Sequence, residues 1–297
     1  MSLLLPKEWN TYYNSIRDRC QNLVDLGIWS GIDINQLNAW KQNFKTEEER
    51  YFSACILDSL IYRSNQQTFS LIHQLLYKNL NNLFRLNKLA EFQSFPYNMQ
   101  SKTDDPLVRF VPVVTHEEPV TKSSFEILRF FKRHFNINER WMIYPLDIQR
   151  CIKDEGVKAI IFIDDFLGTG TQFDETCIYA QIDNIIKNEF VVYAPLVAHE
   201  LGINSLSKMY GNLKVTYAEK LTINSNSFFN NYFKGSEAEA KKFYIELMND
   251  RGIKYDTVTP YGYGNMELTF SFEHAAPDNS LQILHNSSDD WVPLFNH

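Results

Sequence analysis

Hydrophobic positions recur at helical spacing through the first third of the chain. Leu37, Trp40 and Phe44 form one stripe; Phe52, Cys55, Ile56, Leu60 and Ile61 a second; Phe69, Ile72, Leu75, Leu76 and Leu80 a third. Apolar residues three and four apart lie on one side of a helix, so residues 7–92 predict a series of helices. Asp33 is placed as an N-cap for the first stripe, and Thr46 with Glu49 has the capping-box spacing ahead of the second. Phe95-Pro-Tyr-Asn and Lys102-Thr-Asp-Asp-Pro106 then interrupt the pattern. The expected boundary is near residue 100, with a helical subdomain over 1–100 and a second domain over 101–297.

In the second part, short apolar runs alternate with amphipathic stretches. Strands are expected at 108–114, 141–144, 158–163, 191–197 and 213–217, and helices starting near Ser124, Leu146, Gln172 and Ile203. Alternation with short connections predicts an α/β fold with right-handed βαβ units in a largely parallel sheet flanked by helices. Ser236 and Glu239 repeat the capping-box spacing before Phe243, Tyr244, Leu247 and Met248, and Gly252 should end that helix. The tail, with a strand-like 266–272, is expected to return beside the sheet as a cover over its ligand cleft.

Within this pattern one segment carries chemistry. The apolar run 158–163 leads into Asp164-Asp165-Phe166-Leu167 and then the turn Gly168, Thr169, Gly170, Thr171 and Gln172. A strand buried on both faces reads as a continuous apolar run, and open α/β sheets bind ligands at the carboxyl ends of such strands. Positive φ at Gly168 and Gly170 would let the backbone curl so that amides at the start of the next helix face an anion. Asp164 and Asp165 can accept hydrogen bonds from a sugar diol while the turn holds a phosphate. The alternative is that Asp165 caps the turn and Asp164 completes a buried hydrogen-bond network.

The segment resembles the phosphoribosyl-diphosphate (PRPP) loop of type I phosphoribosyltransferases, in which apolar residues precede two acids, an apolar pair and a Thr/Gly turn. The resemblance implies that Asp164 and Asp165 hold the ribose hydroxyls and that residues 168–172 grip the 5-phosphate. Gly168 and Gln172 stand where that family commonly has hydroxyl residues, which removes or moves some phosphate donors. The variant Asp-Asp-Phe-Leu-Gly-Thr-Gly is similar to the phosphoribosyltransferase-like (PRTase-CE) family of bacterial conflict and anti-phage systems. Leu60-Ile-Tyr-Arg63-Ser64, Pro260-Tyr-Gly-Tyr-Gly264, Ala276-Pro-Asp-Asn-Ser-Leu281 and Trp291-Val-Pro-Leu-Phe295 extend the likeness along most of the chain.

What the resemblance implies is a protein of an anti-phage defence system that binds PRPP or a ribose-phosphate nucleotide. Two outcomes follow: transfer or cleavage at the anomeric carbon with Mg2+, as in a phosphoribosyltransferase, or a catalytically inactive sensor or scaffold that signals to a protein partner from the same operon. A second loop, 115–124, would contact pyrophosphate through Lys122 and Ser123; the alternative is a solvated loop in which Ser123 or Ser124 caps a helix. The connection 145–156 reads as a short helix with Arg150 and Lys153 where active relatives carry a long mobile lid. Tyr261, Tyr263, His274 and Trp291 could stack on a base or simply pack. Arg63 could reach the cleft as a phosphate partner, or cap the helix it is expected to end.

Composition narrows this picture further. Hydrophobic residues make up 44%, ample for a core, and the net charge of −7 argues against a broad basic surface, so nucleic acid is not the expected ligand. Cys20, Cys55, Cys151 and Cys177 form no CxxC pair, and no histidine pair has ligand spacing, so reduced core thiols are expected and no zinc site. The N-terminal apolar run is too short for a signal peptide and no segment has the length of a membrane span, so a cytoplasmic location is expected. No Walker A loop accompanies the acids, and the glycines lack the third member of a dinucleotide fingerprint, which disfavours NTPase and Rossmann readings.

Overall fold

The structure is a computed structural model that describes residues 3–89, 92, 94–115 and 122–295. Helices α1 (Trp9–Asp25), α2 (Ile34–Gln42) and α3 (Glu47–Ser59) precede strand β1 (Ile61–Arg63). Helix α4 (Asn65–Gln74) continues through a π-helical segment, Leu75–Leu80, into α5 (Asn81–Leu86). Strand β2 (Val108–Pro112), helices α6 (Ser123–Phe135) and α7 (Ile148–Glu155), and strand β3 (Ala159–Leu167) follow. Then come α8 (Thr171–Ala180), α9 (Asp183–Asn188), β4 (Phe190–His199), α10 (Glu200–Met209), β5 (Lys214–Val215) and β6 (Glu219–Leu221). The chain ends with α11 (Ile223–Asn226), α12 (Phe228–Tyr232), α13 (Glu237–Asp250) and β7 (Phe270–Phe272).

These elements form two compact units, Met1–Gln67 with Thr222–His297, and Thr68–Leu221. The division differs from the one expected near residue 100, which falls inside the second unit. The reason lies in what the N-terminal helices need to bury. Leu37 and Trp40 of α2 and Phe52 and Ile56 of α3 share one core with Phe228, Phe229, Tyr244, Met248, Ile283 and Trp291. The tail therefore completes the first unit: β7 pairs in parallel with β1, Ile61 opposite Phe270 and Arg63 opposite Phe272. Arg63 thus lies on a strand rather than at a helix end, with Nη1 donating to the carbonyl of Tyr62 at 3.2 Å.

Local signals in this unit have mixed outcomes. Asp33 caps α2 and the Thr46–Glu49 capping box is formed. Ser236 makes no such box; its hydroxyl donates back to Phe233 O at 3.3 Å. Gly252, at φ +62, ends α13 as expected.

The second unit is a five-stranded parallel sheet in the order β2-β3-β4-β5, with β6 also pairing β4. All nine residues of β3 are buried, which is the condition its apolar run anticipates. The strand expected at 141–144 is missing. Ile143 N donates to Phe110 O at 2.9 Å, and one bridge joins Met142 to Phe110. The next rung of a parallel ladder would come from the N–H at position 112, and Pro112 has none.

The π-helical turn also has a discernible use. Gln74 and Asn79 are five apart and would diverge on an α-helix, yet their amides donate to Ala218 O and Tyr217 O in the loop before β6. The four cysteines are free and buried, and no helix among the described residues is long and apolar enough to cross a membrane.

Candidate functional site

Adjacent parallel strands β2 and β3 point their carboxyl ends the same way, which brings the chain after each to one edge of the sheet. Val113, just past β2, is the joint. Its N–H donates to Ile163 O at 3.3 Å, and its carbonyl accepts from Gln172 Nε2 at 3.1 Å and from Ser124 Oγ at 3.3 Å. Gln172 thus braces the turn after β3 against the end of β2, a use that its place in the sequence motif did not suggest. Ser123, the first residue of α6, donates its hydroxyl to Asp165 Oδ1 at 2.8 Å. The structure therefore unites the two sequence-predicted loops at Asp165 and Ser123. Lys122 precedes α6 and its charge acts on Asp164; residues 116–121 of the expected pyrophosphate loop lie outside the described residues.

The two acids are not side by side. β3 extends to Leu167, so Asp164 and Asp165 are strand residues, and alternation sends their carboxylates to opposite faces. Asp165 goes to the face covered by α6. Asp164 enters the core of the other face, where Oδ2 accepts from Tyr193 Oη at 3.0 Å and Oδ1 from the Asp165 N–H at 3.1 Å. Tyr193 is itself locked by stacking on Phe173, with ring centroids 4.5 Å apart. Burial raises the Asp164 carboxyl well above the usual carboxylate range; the negative charge of Asp165 adds to this, while Tyr193 and Lys122 oppose it. Asp164 thus sits in a buried hydrogen-bond network, as the alternative reading of the sequence has it, and Asp165 stands beside Ser123 at the loops.

The turn itself has one left-handed glycine. Gly170 takes φ +91 as the N-cap of α8, whereas Gly168, expected to share that conformation, does not. Gly170 has no side chain to cap α8, and the positive end of the helix suits an anion. Thr169 and Thr171 stand at the surface with their hydroxyl oxygens 2.9 Å apart, and Thr171 N donates to Thr169 Oγ1 at 3.3 Å. Behind the turn, Gly202 in the first turn of α10 approaches Gly168. His199, at the end of β4, accepts from Leu201 N–H at 3.3 Å through Nδ1, and its Nε2 is buried without a hydrogen-bond partner.

Several residues of the site escaped sequence reasoning. Tyr193 had a signal: a phenol in a strand otherwise apolar and buried must find an acceptor. Its register partner Phe162 is two residues before Asp164 on the same face. Gly202 had one as well, since glycine within a helix costs stability unless another backbone comes close.

A family model for PRTase-CE matches residues 37–297. The chain belongs to the PRTase-CE family. The parallel sheet flanked by helices is the phosphoribosyltransferase-like fold that membership implies. No curated protein matches the chain. Among the described residues no three His, Cys, Asp or Glu side chains are grouped to hold a metal ion. Of the aromatic residues considered for base stacking, Trp291 and Tyr261 pack within the first unit, against Phe44 and Phe229 respectively, and His274 stacks on Phe272. Tyr263 is about half exposed.

Proposed function

We propose that this PRTase-CE protein binds PRPP or a related ribose-phosphate nucleotide at the carboxyl edge of β2 and β3. The observation that carries the reading is the 2.8 Å contact between Ser123 and Asp165, because it joins the two loops that such a ligand would bridge. In this reading Asp165 accepts from a ribose hydroxyl, and the α8 amides beyond Gly170 take the 5-phosphate with Thr169 and Thr171. Lys122 and Ser123 meet the pyrophosphate. Mg2+ suits the donor set only in part: Asp165 offers one hard carboxylate, so the ion would draw its remaining ligands from phosphate oxygens and water and would neutralise the leaving pyrophosphate.

If turnover occurs, the bond from C1 to the pyrophosphate oxygen breaks as an acceptor adds to C1, and the Asp165 charge stabilises the positive sugar between them. The second reading, a binding-only sensor or scaffold of an anti-phage system that signals to a protein partner, is favoured by the connection 145–156. It is the short helix α7, Ile148–Glu155, where active relatives are expected to carry a long mobile lid.

Titration calorimetry with PRPP and Mg2+, paired with a pyrophosphate-release assay over a set of nucleobases, tests both. Release that Asp165→Asn abolishes supports the enzyme; saturable binding without release supports the sensor. Absence of any binding rejects the ribose-phosphate reading. Co-purification with the products of neighbouring genes tests the partner.

A further inference from the structure

The missing rung at Pro112 leaves a cleft that the ribose-phosphate reading does not use. Beyond the bridge to Phe110, the segment after Met142 leaves β2, and a cleft of about 700 Å³ opens between that segment and α6. One wall is a single stripe of α6, Phe125, Leu128, Arg129 and Lys132, at spacings of three, four and seven residues. The other wall is Met142, Ile143 and Tyr144, and Pro112 forms the floor. The volume lies in the range of small-molecule sites.

The walls also say what would occupy the cleft. Leu128, Met142, Ile143 and Pro112 offer hydrocarbon, and Phe125 and Tyr144 meet edge to face with centroids 6.0 Å apart at one end. The charges along the rim are Arg129, Lys132 and Glu139, and Glu126 stands beside Arg129, so an anion would bind by displacing Glu126 from the guanidinium. Lys132 pairs with Glu139 across the cleft. Arg129 pairs at 2.8 Å with Glu126 of its own helix, and with the guanidinium about half exposed that pair is weak enough to exchange for another anion.

We infer that the cleft between α6 and residues 142–144 is a second ligand site, for a small amphipathic anion: an apolar body against Leu128, Met142 and Ile143, and a carboxylate or similar head at Arg129. It is independent of the ribose-phosphate site, since neither Asp165 nor the turn at Gly170 lines it.

Fluorescence titration of the full chain with anilinonaphthalene sulfonate, followed by competition with decanoate and with decanol, tests this. The expected result is one saturable site per chain, displaced by decanoate and about tenfold less well by decanol, the difference of a single charged contact. Met142→Trp, which narrows the apolar wall, should weaken binding about tenfold, and Arg129→Glu should weaken decanoate by a similar factor without changing the near-ultraviolet circular dichroism. Hydrogen exchange on the unmodified chain guards against a misfolded variant: decanoate should protect amides in 125–132 and 142–144. No saturable binding, equal displacement by decanol, or protection elsewhere would overturn the proposal.

Discussion

Gly202 and Gly168 meet backbone to backbone: a Cβ on Gly202 would lie 2.3 Å from the carbonyl oxygen of Gly168 and 2.7 Å from Cδ1 of Leu167. The first turn of α10 is therefore pressed directly against the turn between β3 and α8. A methyl group has no room unless one of the two moves, and the atom in the way is backbone, not the free end of a side chain. Gly202→Ala should cost about 1–3 kcal/mol, the usual penalty of overpacking. Displacement of the turn should also weaken ribose 5-phosphate binding. Thermal unfolding and calorimetry measure the two effects, and a variant with the melting temperature of the parent would refute the contact.

Gly170 tests the turn from its other side. Its φ of +91 is strained for any side chain, and an ideal Cβ would stand 3.0 Å from Cγ and 3.1 Å from Cδ2 of Leu206. A left-handed conformation costs an L-residue about 1–2 kcal/mol, and a β-branched one more. Gly170→Val should therefore lose at least about 2 kcal/mol of stability and abolish phosphate binding. Unchanged affinity in calorimetry would remove the turn from the site.

These two glycines mark what the sequence does and does not disclose. Gly170 sits in a local motif, where an apolar run, two acids and a Thr/Gly turn follow in order, and the strand, turn and helix are all readable from neighbours in the chain. Gly202 acts on Gly168 from more than thirty positions away, and no periodicity of its own helix names that partner. The same holds for Tyr193 and Asp164, and for the tail that packs on α2 and α3. Its apolar residues announce burial but not against what. The edge segment 142–144 fails for a different reason: its pattern suits a strand, but the donor it needs is missing from Pro112 on the neighbouring strand. Alternation along β3 was itself legible, and it already places consecutive acids on opposite faces once the strand is seen to run through them.

Asp164 makes stability depend on pH. Its folded-state pKa is raised above the usual 3.8, by burial first and by Asp165 second. Between 3.8 and the folded value the native state binds the extra proton, so stability is greatest below that window and declines as pH rises through it. Asp164→Asn removes the charge, keeps Oδ1 as the acceptor for Asp165 N–H, and replaces Oδ2 by an NH2 that can donate to the Tyr193 hydroxyl. It should be more stable than the parent at neutral pH, by about 1 kcal/mol or more, with the gap closing towards pH 4. Tyr193→Phe should do the reverse, leaving Oδ2 without its phenol donor at a cost of about 1–3 kcal/mol. Urea unfolding across pH 4 to 8 checks both, and a gap between Asp164→Asn and the parent that does not change with pH would show that Asp164 does not titrate in this way.

His199 acts on the opposite limb. Nδ1 accepts the Leu201 N–H, so the neutral ring carries its proton on Nε2, which is buried and unpartnered. Protonation would turn Nδ1 into a donor, break the cap of α10 and place a charge in the core. Burial accordingly lowers the pKa from 6.5; Lys220 lowers it too, and Glu200 works against both. An unfolded His199 takes up its proton near 6.5 while the folded one stays neutral, so the unfolded state binds more protons below that pH. Stability therefore falls as pH drops from about 6.5 towards the folded value, by at most about 1.4 kcal/mol per pH unit. Since α10 carries Gly202, the loss should appear as loosening of the turn at Gly168 before global unfolding, visible as faster amide exchange in residues 168–172. His199→Asn retains a short acceptor for Leu201 N–H but does not titrate. Its urea stability should fall less than the parent's between pH 7 and pH 5, and parallel curves for the two proteins would exclude His199 as the group responsible.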